Sequence, residues 1–174
     1  EMCIRDRNYE RAVEWWEKAA LQRNARAQYE LGVAYANGEG VPQSHERAFE
    51  LYKQSAAQGY SIAQYNIGNC YRTGQGCEQS YERVAEWWEK GALKGHARCQ
   101  FGLGMLCEHG HGVTQSLKEA RRHYLMAVEL GFTEASESAK RVEEKIRQDI
   151  IRTLGPMVRK RVVVVGTSRG DLNG

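Results

Sequence analysis

The letters CEHGH at 107–111 bring together Cys107, His109 and His111, and Cys77 offers a fourth side chain of the same chemistry from an earlier part of the chain. Thiolate and imidazole suit zinc. A structural zinc site, however, needs four ligands at fixed geometry and normally shows C-x-x-C spacing, which this sequence lacks. His109 and His111 also occupy positions that an equivalent stretch fills with Asn37 and Glu39, so they read as variable polar loop residues. The chain carries five cysteines. Cys99 and Cys107 lie eight apart on one expected helix, about 12 Å along its axis, too far to bridge. Cys3 falls in a segment outside the repeat described below. The thiols read as reduced, small core residues, which favours a cytoplasmic or nuclear compartment. Neither a metal nor a cofactor is expected.

The tail holds two further chemical suggestions. GTSRG at 166–170 follows VVVV at 162–165 and has the G-x-S-x-G letters of a hydrolase elbow. That elbow must open into a helix, whereas DLNG reads as a turn, and no hydrolase-sized stretch precedes it. The same letters resemble the glycine-rich start of short-chain dehydrogenases, but Leu172 stands where the last glycine is needed. RVVVVGTSRGDLNG is more similar to the first strand and turn of a small β-barrel of the Src-homology-three class. Residues 156–174 are therefore expected to be a linker and the truncated start of such a module, a short β-like C-terminal tail. RKR at 159–161 reads as solvated linker rather than a nucleic-acid site. The net charge is +3 over 174 residues and the composition is that of a soluble globular chain. No apolar run approaches the ~20 residues of a membrane span. No catalytic constellation emerges, so an enzyme is not expected.

What organises the chain is a repeat. GEGVPQS at 38–44 returns as GQGCEQS at 74–80 and GHGVTQS at 110–116, a period of 36 residues. Gly32, Gly68 and Gly104 fall in register, as do Trp16, Tyr52, Trp88 and Tyr124. Each unit reads as two helices. Ala27, Leu31 and Tyr35 make the apolar face of a first helix over about 25–37, and Ala48, Tyr52 and Ala56 that of a second over about 45–58. Gly38 ends the first helix in a left-handed cap, and Pro42 stops it from continuing. Ser44, Ser80 and Ser116 start the second as N-caps, with Ser116 and Glu119 spaced as a full capping box. Gly32, inside a helix where glycine costs about 1 kcal/mol, marks a close approach of two helices that a side chain would block. The recurring large rings are plausible fillers beside it.

The two ends depart from the pattern. Residues 133–155 begin a further unit with Ala135 and Ala139 in register, but Lys140 replaces the glycine and no glycine loop follows. Apolar positions 135, 139, 142, 146 and 150 leave a charged opposite face, as a capping helix of a solenoid needs. At the front, a second-type helix is expected to start at Asn8, in the N-cap position. Residues 1–7, EMCIRDR, break the register. They read as a translated sequencing-library adaptor joined to a truncated gene fragment, which leaves any signal peptide outside the sequence. The repeats proper are thus placed at 8–132, as one half-repeat and three full ones.

The unit ARAQYELGVAYANGEGVPQSHERAFELYKQSAAQG, with its two later copies, resembles the Sel-one-like repeat, a relative of the tetratricopeptide repeat. The longer Gly-x-Gly loop separates it from the tetratricopeptide unit. Departures are Cys77 for valine, Cys107 for tyrosine, and serine where the family often has aspartate. The resemblance implies an all-α fold, a right-handed α–α superhelical solenoid of helix-turn-helix repeats, acting as a non-catalytic scaffold or adaptor. By analogy with tetratricopeptide geometry, the first helices would line a concave groove. Its positions would be Arg26, Tyr29, Val33 and Asn37, then Ile62, Tyr65, Asn69 and Thr73, then Arg98, Phe101, Met105 and His109. Such a groove suits a peptide or helical segment of another protein, not a small-molecule substrate. The row Tyr29, Tyr65, Phe101 is either an aromatic floor or inter-repeat packing, its recurrence favouring packing. The alternative is the interaction part of a multidomain enzyme or zinc-binding protein whose chemistry lies elsewhere.

Overall fold

The computed structural model describes residues 4–167, which form eight successive helices and, among the described residues, no strand. They are α1 (Ile4–Leu21), α2 (Ala25–Asn37), α3 (His45–Ala57), α4 (Ser61–Thr73), α5 (Tyr81–Leu93), α6 (Ala97–His109), α7 (Leu117–Glu129) and α8 (Ala135–Thr167). Each of α2 to α7 is 13 residues long. The period in the sequence is therefore a pair of equal helices with two fixed connections. Each helix packs on its neighbours in the chain, the arrangement of an α–α solenoid.

The long connection explains the recurring letters. Gly74 closes α4 in the left-handed region, and its N–H donates to the Cys70 carbonyl at 2.8 Å. Gly76 is also left-handed, and a Cβ there would run into the His45 carbonyl at the start of α3. The second glycine thus lets each loop rest directly on the preceding repeat. The Gln-Ser pair divides the work between two helix ends. Gln79 Nε2 donates to the Arg72 carbonyl at 2.8 Å, satisfying the end of α4. Ser80 Oγ accepts from Arg83 N at 3.3 Å, satisfying the start of α5. Gln43 and Gln115 repeat the first contact, and Ser44 and Ser116 the second. The reciprocal half of the capping box at Ser116–Glu119 does not form. Glu119 turns instead to Arg122, at 2.8 Å, while Ser116 N donates to the Cys107 carbonyl.

The mid-helix glycines admit the large rings as expected. A Cβ on Gly32 would lie 2.8 Å from the Tyr52 ring, and one on Gly104 2.6 Å from that of Tyr124. Gly68 faces Trp88, the largest of these three rings, whose Nε1 donates to the Tyr65 carbonyl at 3.1 Å. The extra bulk of Trp88 is absorbed on its other side by Gly102, which stands where the earlier copies have Glu30 and Asn66. A second exchange lies next to it. Cys99 replaces Ala63 of the preceding copy, and Gly91 opposite it replaces Ser55, leaving room for the sulfur.

The ends differ from the sequence expectation. α1 begins at Ile4, so Asn8 lies within the helix and does not cap it. Once a helix is nucleated, each added residue closes one more backbone bond at little cost. Trp16 is half-buried on the cluster of Val13, Leu31 and Ala34, while Trp15 is 71% exposed. In α8, Ala135, Ala139 and Val142 are buried and Ile146 is half-buried, but Ile150 has left the core and is 52% exposed. α8 then runs through Pro156 and the valines at 162–165 to Thr167. The strand-like reading of that run is therefore corrected, and the boundary expected after residue 155 falls inside one helix. A strand needs a second strand for its N–H and C=O groups, and among the described residues none is present; a helix closes its own. Residues 168–174, with the rest of the GTSRG and LNG letters, and residues 1–3, with Cys3, lie outside the described residues.

Candidate functional site

The first helices α2, α4 and α6 carry all twelve groove positions, and all twelve keep some contact with solvent. Arg26, Asn37, Ile62, Thr73, Arg98 and His109 are exposed. Tyr29, Val33, Tyr65, Asn69, Phe101 and Met105 are half-buried. The i, i+3, i+7, i+11 spacing in each helix puts its four positions on one face. Arg26 pairs with Glu30 at 3.7 Å, whereas Arg98 makes no ion pair among the described residues. His109 Nδ1 donates back to the Met105 carbonyl at 2.9 Å.

The aromatic row is part of the packing. Tyr29 meets Tyr52 at 5.8 Å and Tyr60 at 5.4 Å, and Tyr65 meets Trp88 at 6.0 Å and His96 at 5.4 Å. Phe101 meets Tyr124 at 5.4 Å and Phe132 at 5.1 Å. One three-ring cluster thus recurs in every full repeat, joining a first helix to the second helix after it and to the residue that opens the next unit. Burial, with Glu30 adding to it, pushes the Tyr29 hydroxyl above its ordinary pKa.

Sequence reasoning passed over two groups. The first is a cavity of about 280 Å³ between α2, α3 and α4, lined by Asn37, His45, Tyr52, Asn66, Asn69 and Gln75 among others. Asn66 stands where the other copies have Glu30 and Gly102. It is therefore variable by the same criterion that singled out Asn69. The second is Glu108, only 3% exposed, which replaces Ala36 and Arg72 of the earlier copies. Its carboxylate accepts from Tyr124 Oη, Arg141 Nη2 and Lys145 Nζ, each at 2.8 Å. Burial raises its pKa, but the donors from Arg141, Lys145 and Tyr124 outweigh burial and hold it at about 2. A carboxylate so occupied ties α6 and α7 to α8 and has no proton to exchange near neutrality.

The remaining chemistry is likewise structural. Cys70 and Cys99 are buried, and burial pushes their thiols up to about 11 and about 12, so both stay protonated. His111 packs on Tyr81 at 4.7 Å and on His109 at 5.6 Å. Among the described residues no three His, Cys, Asp or Glu side chains are grouped to hold a metal ion. No described helix is long and apolar enough to cross a membrane.

The signature described as the Sel1 repeat matches residues 5–24, 25–60, 61–96 and 97–132. A Sel1 repeat protein from Oxalobacter formigenes is similar at 32% identity and TM-score 0.72, over 76% of this chain and 54% of that one. The protein c5321, a protective antigen present in uropathogenic Escherichia coli strains and displaying an SLR fold, is similar at 33% identity and TM-score 0.67. The match covers 68% of this chain and 26% of that one. Cysteine-rich protein B of Helicobacter pylori shares the fold at TM-score 0.62 and 15% identity, over 78% of this chain and 97% of that one. This chain thus spans about half the length of the first of these proteins and about a quarter of the second. No curated protein sequence matches it.

Proposed function

The chain belongs to the Sel1 repeat family, a family generally of protein–protein interaction scaffolds, and on that premise we propose that it is a non-catalytic adaptor. In this reading it holds a peptide or helical segment of another protein along the shared face of α2, α4 and α6, the concave side of a right-handed superhelix. One observation carries the reading. The positions that change between copies, Arg26/Ile62/Arg98, Val33/Asn69/Met105 and Asn37/Thr73/His109, all retain solvent contact on that one face, while the recurring positions between them are spent on packing. A scaffold must keep its packing positions constant and is free to vary those that meet a partner. Arginine, asparagine and apolar side chains mixed along one face match the anatomy of protein interfaces.

The test is selection of short linear peptides from a random display library against the full chain. Met105→Glu and Arg98→Glu should abolish capture of the selected peptide. Glu50→Lys and Lys53→Glu, on the exposed side of α3, should leave it intact. Failure to select any peptide, or the opposite pattern of sensitivity, would refute the reading.

A further inference from the structure

We propose that two copies of this chain associate front to front, the exposed Trp15 ring of each entering an open ring seat on the other. The seat is a cavity of about 410 Å³ at the front of the array, lined by Trp16, Ala19, Asn24, Arg26, Ala27 and Glu30. The later units show what such a place holds. In each full repeat a ring of the first helix lies on a large ring of the second helix and on the residue that opens the next unit. Tyr29 lies on Tyr52 and Tyr60, Tyr65 on Trp88 and His96, and Phe101 on Tyr124 and Phe132. Trp16 and Asn24 are the register equivalents of Tyr52 and Tyr60. Among the described residues α1 packs on α2 and has no first helix of its own, so here the same platform stands open.

A ring that fits lies on the same end. Leu51 stands in α3 where Trp15 stands in α1, and it packs back onto the cluster that holds Val13 of α1. Phe49, two residues away and so on the opposite flank of the helix, meets Tyr71 of the following unit at 5.3 Å. Position 15 therefore points off the front of the array, and Trp15 is 71% exposed there. An end that carries both an unburied ring and an open ring seat is complementary to itself, and one twofold axis fills both seats. The polar ends agree. Asn66 reaches the Tyr29 hydroxyl in the unit behind, and Glu30 takes the Asn66 position at the front seat. A carboxylate there only accepts and an indole N–H only donates. Lys18 lies over the Trp15 ring at 5.6 Å, so the guest brings a cation toward Glu30, whose pair with Arg26 is long at 3.7 Å.

The other end of the array does not supply the ring. α8 stands in the register of a first helix, so a front-to-back stack would lay it on α1 of the next copy. Its ring position is Glu137 and its glycine position is Lys140. These two pair with each other at 3.1 Å and are largely exposed. Trp16 would meet a lysine where Trp88 needs Gly68. An open filament is thus blocked and a closed pair is left. The area is of the right order. A buried aromatic ring contributes about 150–250 Å². Two Trp15 rings then supply roughly 300–500 Å² of the roughly 1,200 Å² at which stable interfaces begin, and the walls they cover supply a comparable area. That is the size of a reversible dimer.

The test is sedimentation equilibrium of the full chain over a concentration series. A monomer–dimer equilibrium is expected, with no larger species. Trp15→Ser removes the guest, and Ala19→Phe fills the seat from within. Each should weaken the dimer at least about thirtyfold, the scale of a lost tryptophan anchor. Mixed together, the two variants retain one guest and one seat and should form a heterodimer, although each alone stays monomeric. Unchanged melting curves separate these effects from misfolding. If Ala19→Phe unfolds, Glu30→Lys, which repels the partner's Lys18, takes its place in the mixture. A chain that stays monomeric, association that grows past the dimer, or a dimer insensitive to Trp15→Ser would overturn the proposal. So would a mixture that gives no heterodimer. If the monomeric chain instead binds a synthetic helix of residues 61–73, and not its Tyr65→Ala form, the seat serves a first helix of another unit and the front-to-front pair fails.

Discussion

Replacing Glu108 by glutamine tests how the last repeat is closed. The carboxylate is 3% exposed and is met at 2.8 Å by Tyr124, Arg141 and Lys145, the last two from α8. Its pKa falls from 4.5 to about 2, because the three donors more than offset the burial that raises it. At about 1.4 kcal/mol per pKa unit, that fall corresponds to about 3 kcal/mol of native-state stabilisation. Arg141 and Lys145 are each about half in solvent, so screening reduces the expected loss in Glu108→Gln to about 2 kcal/mol. The pH dependence follows from the direction of the shift. The folded pKa lies below the unfolded one, so the contribution is complete above pH 4.5 and disappears as pH falls toward 2. Denaturant titrations of both proteins from neutral pH into acid should show a gap of about 2 kcal/mol that narrows through that window and closes at its lower end. Amide exchange in α8 should rise in the variant at neutral pH while that in α3 stays unchanged, because stability in a repeat array is local. Equal stability at pH 7, or a gap that stays constant into acid, would refute the assignment of Glu108 as the group that anchors α8.

Two other outcomes follow from the packing and the caps. Gly91→Ala should cost about 1–3 kcal/mol, because the new methyl meets Cys99 Sγ. The double variant Gly91→Ala/Cys99→Ala restores the pairing of Ala127 with Ala135 one repeat later and should recover most of that loss in denaturant unfolding. His96 caps α6 by accepting from Cys99 N at 3.3 Å through Nδ1, and burial, with Arg98 nearby, lowers its pKa from 6.5. The cap is thus complete above pH 6.5 and weakens as pH falls through the lowered folded value. His96→Asn should keep the cap and flatten the pH dependence of amide exchange in the first turn of α6, and an unchanged profile would remove His96 from that role.

The fold was legible because the repeat states its rules several times. Two glycines, a serine and a helical run of small and aromatic residues recur at one spacing, and each recurrence corresponds to one contact that must be made again. The roles of Gln79 and Gly76 were less visible. One depends on a side chain reaching back seven residues to Arg72, the other on a loop resting on α3 of the preceding repeat, and neither distance is written in local periodicity. The run at 162–165 misled because β-branched residues favour strands only where another strand is available to pair with. Of the candidate site, the positions on the face of α2, α4 and α6 were legible from helical phase alone. The cavity beside Asn66 was not, because it arises where three helices meet.

Departures from the repeat fall into two kinds, and the difference between them bears on function. Within the core they are matched. Trp88 is larger than Tyr52 and is met by Gly102, and Cys99 is larger than Ala63 and is met by Gly91. Glu108 brings a charge where Ala36 stood and is met by Arg141 and Lys145. Close packing enforces this pairing, since a change in volume or charge inside a dense core costs stability unless a neighbour answers it. On the shared face of the first helices the changes are unmatched. Val33 becomes Asn69 and then Met105, and Asn37 becomes Thr73 and then His109. Their ring neighbours Tyr29, Tyr65 and Phe101 keep the same packing partners throughout. Val33, Asn69 and Met105 are only half-buried and Asn37, Thr73 and His109 are exposed, so these exchanges are less constrained by packing than those in the core. Variation under weak internal constraint is what a surface needs in order to be fitted to a molecule outside, and it runs along the one face that α2, α4 and α6 share.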